Sequence, residues 1–122
     1  MTSFRQKAFN KAYIGLAKQK FEQSLDENTY DCLYRGPNGL KCAIGHIISD
    51  EYYNDDMEYL IPFNVPVKEA VEKSLNMENL KESDLDFLCL LQECHDEYDG
   101  PVMMQEALEL FADDYDLEVP KV

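Results

Sequence analysis

The chain has 122 residues and a mass of 14.2 kDa, with 25 Asp plus Glu against 11 Lys plus Arg, a net charge of −14. That size favours one domain, and a hydrophobic content of 45% is enough for a core, which excludes wholesale disorder. Such acidity disfavours direct binding to nucleic acid or to an anionic membrane, because both are polyanions.

The charge is divided along the chain. Met1 to Leu25 carries five cations (Arg5, Lys7, Lys11, Lys18, Lys20) and one acid, a net +4, whereas residues 26–122 carry six cations and 24 acids, a net −18. We therefore read one domain over 1–122, made of a basic N-terminal helix over 1–25 and an acidic body over 26–122. Met1 to Lys20 is interrupted by cations and does not read as a secretory signal, and no apolar run approaches the ~20 residues that span a bilayer. The expected location is the cytoplasm.

Ser3 is placed to cap a helix running to about Ser24, with Phe4, Ala8, Ala12, Leu16 and Phe21 near helical spacing and Phe9, Tyr13 and Ala17 widening the stripe. Gly15 inside it costs about 1 kcal/mol relative to Ala unless close packing needs its bareness. Tyr30 to Tyr34 is short, aromatic and β-compatible, and Arg35-Gly36-Pro37-Asn38-Gly39 supplies a tight turn. The expectation is a two-stranded hairpin about that turn, its second arm passing into a short helix near Gly45 to Ile48. A helix starting directly at Leu40 competes with it.

Ser49 can cap a helical turn over Asp50 to Tyr53. Ile61 to Pro66 is extended, since each residue before a proline is pushed out of the α region, and Pro66 suits the first turn of a helix through Leu75. Ser83 to Asp86 resembles an acidic capping box, and Leu85, Leu88, Leu91 and Cys94 mark the buried stripe of the next helix. Asp99-Gly100-Pro101 separates it from a last helix in which Val102, Leu108, Phe111, Ala112 and Tyr115 face inward. The fold class expected is mainly α (α+β): a single compact domain of four to five helices with one small β-hairpin.

Four cysteines, Cys32, Cys42, Cys89 and Cys94, carry no sign of a disulfide framework in a chain without a secretory signal. Cys32, Cys42, His46 and His95 are the candidate zinc ligands, with Cys94 an alternative fourth. Against them stands the absence of any Cys-x-x-Cys and the ordinary tendency of free cysteine to be buried. The default expectation is thus no cofactor. His95-Asp96 could act as a general base with Cys42, Ser49 or Cys94 as nucleophile, but adjacent helical residues do not face each other. A histidine favoured by the dipole at a helix C-terminus is the plainer reading. Arg35 to Gly39 lacks the P-loop pattern, and Asp50, Asp55, Asp56 and Glu58 lack the glycine and terminal acid of a calcium loop.

Cys32-x-Tyr34-Arg35-Gly36-Pro37-x-Gly39-x-Lys41-Cys42-Ala43-Ile44-Gly45, followed by Ile48, Asp50, Tyr53, Met57-Glu58 and Leu91-Gln92-x-x-His95-Asp96, resembles a group of small uncharacterised bacterial and bacteriophage proteins. The likeness spans roughly Tyr30 to Leu117. It implies that the hairpin and the His95-Asp96 turn form one unit, and that the origin is a phage or mobile element. It brings no activity with it.

Two functions from different classes follow. The first is a non-enzymatic phage or mobile-element inhibitor that binds a host nucleic-acid-handling or defence protein through an acidic, partly DNA-mimicking face. Asp50, Glu51, Tyr53, Asp55, Asp56 and Glu58 are its expected partner-binding residues, since carboxylates are interleaved there with aromatic contact area. Neutralising Asp55, Asp56 and Glu58 together should then leave folding intact. The second is a small metal- or thiol-dependent enzyme built on Cys42, His46, Cys94 and His95. The charge division also allows a homodimer in which the basic first helix meets an acidic face.

Overall fold

A computed structural model of the chain describes residues 3–98 and 100–122; Met1, Thr2 and Asp99, and with Asp99 one position of the expected interhelical turn, lie outside them. Among the described residues five α-helices make up the architecture: α1 (Phe4–Lys18), α2 (Ala43–Ile47), α3 (Val65–Ser74), α4 (Glu82–Asp96) and α5 (Pro101–Asp114). Single 3-10 turns stand at Pro37–Gly39, Asp50–Tyr52 and Asp55–Met57.

The short α2 is the hub. Four of its five residues, Ala43, Ile44, Gly45 and Ile47, are buried, and it packs against α1, α3 and α4. A helix of one and a half turns has little stability of its own, so its neighbours hold it. Cys42 caps it: the Gly45 N–H donates to Cys42 Sγ at 3.4 Å. On the far side α4 and α5 pack together and bring Phe87, Phe111 and Tyr115 within 5.1 Å of one another, ring centre to ring centre, while Phe9 of α1 stacks on Phe111 at 6.1 Å. Leu85, Leu88, Leu91 and Cys94 are buried, as the spacing of α4 predicts. In α5, Leu108, Phe111 and Ala112 face inward, but Val102 is 68% exposed, because Met104 and Ala107 hold the inward positions of the first turns.

The backbone departs from the sequence expectation in two places. First, α1 stops at Lys18, about one and a half turns early. Lys20 and Phe21 both adopt left-handed backbone (φ 57° and 56°), and the turn swings Phe21 against Tyr13, ring centres 5.6 Å apart. Second, there is no hairpin at Gly36 to Gly39 and no β-strand among the described residues, only an isolated antiparallel bridge between Leu25 and Cys32. The reason lies in where the backbone donors go. Leu33 N–H bonds the Ser24 carbonyl, but the N–H groups of Tyr34 and Arg35 both donate to the Glu58 carboxylate, at 2.8 and 3.1 Å. Glu58 takes the place that a partner strand would have filled, and the second arm enters α2 instead.

Candidate functional site

The loop after α1, the Leu25–Cys32 bridge, the N-terminus of α2 and the last turns of α4 meet around one polar network. Gln92, His95 and Asp96 of the Leu91-Gln92-x-x-His95-Asp96 pattern belong to it, and Ser24, which stands in no motif, joins them. Ser24 N–H donates to His95 Nε2 at 2.9 Å, and His95 Nδ1 lies 2.8 Å from Asp96 Oδ1. Because Nε2 accepts a backbone proton, the imidazole proton sits on Nδ1 and donates to Asp96. Gln92 joins the two helices: its Oε1 accepts from Ile44 N–H at 2.9 Å, and its Nε2 donates to Asp96 Oδ1 at 2.7 Å. His95 is fully buried yet completely satisfied. The adjacent pair does face itself, contrary to the expectation from ideal helix spacing, since the side chains fold together at the helix end.

This network forms one wall of a cleft of about 300 Å³. Cys89, Gln92, Glu93 and Asp96 line it from one face of α4, Cys32, Tyr34 and Cys42 from the opposite side, and the segment Tyr59 to Pro62 forms its mouth. The Cys32 thiol lies beside Asp96, its sulfur within 4.8 Å of a carboxylate oxygen. Burial, with Asp96 adding to it, pushes the Cys32 thiol up; burial lifts the thiols of Cys42 and Cys94 to about 12 and also raises that of Cys89. All four cysteines are free and uncharged at neutral pH, the opposite of an activated nucleophile. His95, with both nitrogens engaged, has no lone pair with which to take a proton from them.

Of the candidate zinc ligands, Cys32 and His95 come together with Asp96, their ligand atoms within 4.8 Å of one another. A metal there would have to displace the Nδ1 proton and then place a proton on Nε2, against the Ser24 N–H. The donor set therefore does not fit a zinc ion while that bond stands. Cys42 is spent on the α2 cap. His46 points the other way, into α1, where its ring packs on Gly15 and its Nε2–H donates to Gln19 Oε1 at 2.8 Å. Burial, with Lys41 and Arg35 next, holds the His46 pKa down to about 4. Gln19 also bridges the chain at Lys41, accepting from its N–H at 3.2 Å and donating to its carbonyl at 2.7 Å. Gln19 and Ser24 carry no motif by which sequence reasoning could have found them, whereas Gln92 stands in the Leu91-Gln92-x-x-His95-Asp96 pattern.

The expected partner-binding segment separates into two groups. Glu58 receives Tyr34 N–H, Arg35 N–H and, at 2.7 Å, the Tyr53 hydroxyl. Arg35 stacks over the Tyr53 ring at 4.8 Å and reaches the carbonyls of Gly45 and Ile48 and the Asp50 carboxylate at 2.6, 3.0 and 3.0 Å. Tyr53, Glu58 and, through its ion pair, Asp50 thus pin the loops around Arg35. Glu51, Asp55 and Asp56 are exposed and make no side-chain contact of this kind.

A second acidic surface lies across α4 and α5. Glu93 on α4, Glu97 just past its end, and Glu106, Asp113 and Asp114 on α5 are exposed. Between and beside them stand Leu90, Tyr98, Met103 and Leu110, which are 43%, 38%, 53% and 66% exposed. A groove between the two helices is floored by Cys94, Ala107 and Phe111. No helix among the described residues is long and apolar enough to cross a membrane. Comparison with protein-family models, curated proteins and solved structures finds no match to this chain.

Proposed function

We propose that the protein is a non-enzymatic inhibitor, of the kind a phage or mobile element encodes, that binds a basic nucleic-acid-handling or defence protein of the host through an acidic, partly DNA-mimicking face. The observation that carries this reading is the α4–α5 surface, where exposed Leu90, Tyr98 and Leu110 sit within a field of carboxylates from Glu93 to Asp114. Carboxylates alone steer association; apolar and aromatic area is what slows dissociation. The surface offers both, whereas the segment from Asp50 to Glu58 spends Tyr53 and Glu58 inside the fold. The neutral thiols and the satisfied His95 favour binding over thiol-dependent chemistry.

The test is recovery of the partner from host lysate on immobilised protein, followed by kinetics with the purified pair. A basic nucleic-acid-binding partner, displaced by duplex DNA and bound more weakly as salt rises, is expected. Replacing Glu93, Glu97 and Asp114 by their amides should slow association, and Leu110→Ala should speed dissociation. Replacing Glu51, Asp55 and Asp56 by their amides serves as the comparison. If that second set alone weakens binding, the working face is the 50–58 segment; if neither set does and DNA does not compete, the reading fails.

A further inference from the structure

The cleft beside the His95–Asp96 pair has a composition that the network alone does not explain. It has room for a whole side chain, at about 300 Å³, and none of the described side chains that line it is cationic. Two carboxylates, Glu93 and Asp96, face it three residues apart on α4, the spacing that puts helical side chains on one face. Asp96 is held in place: Oδ1 receives both His95 Nδ1–H and Gln92 Nε2–H, at 2.8 and 2.7 Å. Its second oxygen receives no N–H or O–H among the described residues, and the Cys32 thiol, a weak donor, lies within 4.8 Å of the carboxylate. The remaining walls are apolar or aromatic: Tyr34, Leu60 and Pro62 are buried or half-buried, while Tyr59 and Ile61, 63% and 53% exposed, stand at the mouth.

We infer that this cleft receives the guanidinium group of an arginine side chain from the partner protein. The inference rests on the protein-binding reading above and names the anchor that such a partner supplies. An oriented carboxylate at the end of an apolar cleft selects a cation whose stem tolerates burial. Guanidinium is planar and weakly hydrated, stacks on aromatic rings and donates along several directions at once, whereas ammonium is a strongly hydrated point charge. The arginine stem lies along Ile61 at the mouth and Pro62 behind it, and the head group reaches the free oxygen of Asp96, with Glu93 as its second acceptor. The partner is basic, so its arginines are the matching chemistry, and a buried arginine is the commonest kind of charged anchor in interfaces.

The test uses the full chain, labelled with 15N, titrated with N-acetyl-arginine amide, and in parallel with N-acetyl-citrulline amide and N-acetyl-lysine amide. The arginine probe should saturate and shift the Gln92 side-chain amide and the backbone amides of Cys32 and Ile61. Citrulline, its neutral isostere, should leave them unmoved, and lysine should bind about tenfold more weakly or not at all. Asp96→Asn keeps an oxygen for His95 and Gln92 and removes the charge, so it should abolish the shifts while the rest of the spectrum stays in place. Ile61→Ala, at the exposed mouth, should weaken the probe without touching the network. Shifts spread over every acidic surface, or persisting in Asp96→Asn, overturn the assignment. With the purified partner, Asp96→Asn should lower affinity about tenfold or more. An unaltered partner affinity, alongside a lost probe site, shows that the pocket is not the anchor even though the protein binds a partner; no partner binding at all with an intact probe site removes the inhibitor reading and leaves a guanidinium pocket.

Discussion

Glu58 gives the most direct test of how this fold is held. The sequence places it among surface acids whose neutralisation should be harmless; the structure makes it the substitute for a missing strand. Its carboxylate receives three hydrogen bonds of 2.7 to 3.1 Å, from Tyr34 N–H, Arg35 N–H and the Tyr53 hydroxyl. Hydrogen bonds to a charged group contribute about 1.5–3 kcal/mol each, and three on one carboxylate are not additive. Glu58 is half-buried, so water recovers part of the loss. Glu58→Ala should therefore cost about 3 kcal/mol. Glu58→Gln should cost about 2 kcal/mol, because its amide group must face either Tyr34 N–H or Arg35 N–H, donor against donor. With a urea slope of about 1.5 kcal/mol per M, the alanine variant shifts the unfolding midpoint by about 2 M. Asp55→Asn and Asp56→Asn, at exposed positions, should stay within about 0.5 kcal/mol of the parent. A Glu58→Ala midpoint indistinguishable from theirs would refute the strand-substitute account.

Gly15 and His46 offer two further predictions. A Cβ on Gly15 would come within 2.2 Å of His46 Nδ1, so Gly15→Ala should lower the melting temperature by a loss of about 1–3 kcal/mol, despite the better helix propensity of alanine. In a His46→Ala background the same change should turn neutral or stabilising, and a stabilised single variant would show that the ring simply moves aside. Burial holds the pKa of His46 down to about 4 in the fold, below the ordinary histidine value of about 6.5, so the unfolded chain takes up the proton first as the pH falls. Stability should decline from pH ~6.5 towards ~4, with no contribution above neutrality, by at most about 1.4 kcal/mol per pH unit. Urea unfolding of the parent and His46→Gln should converge as the pH drops through that window, and parallel curves would show that His46 titrates alike in the folded and unfolded chain.

Much of the helical framework was legible from local pattern. Pro66 and the inward spacing from Val67 to Leu75 located α3 to within a residue, and the Leu85, Leu88, Leu91 and Cys94 stripe located the buried face of α4. The division between a basic first segment and an acidic remainder is likewise a property of the chain alone, and so is the expectation of a mainly α domain. These features need no partner: helical periodicity, proline geometry and charge are set within a few residues.

What the tertiary structure decided are the pairings between distant residues. Tyr30 to Tyr34 has strand composition, but β structure needs a partner for its backbone, and the donors of Tyr34 and Arg35 went to a side chain 23 or more positions away. The length of α1 was decided by the left-handed turn at Lys20 and Phe21 that Tyr13 rewards with a packed ring. The roles of the two histidines were decided by Gln19 and by the backbone of Ser24, which are 27 and 71 positions from them. A polar side chain reads alike in sequence whether it is wet or satisfied by a remote partner. Only folding brought Cys42, Cys89 and Asp96 to one cleft, because it is the packing of α2 on α4, not any spacing along the chain, that sets the α2 cap against the face of α4.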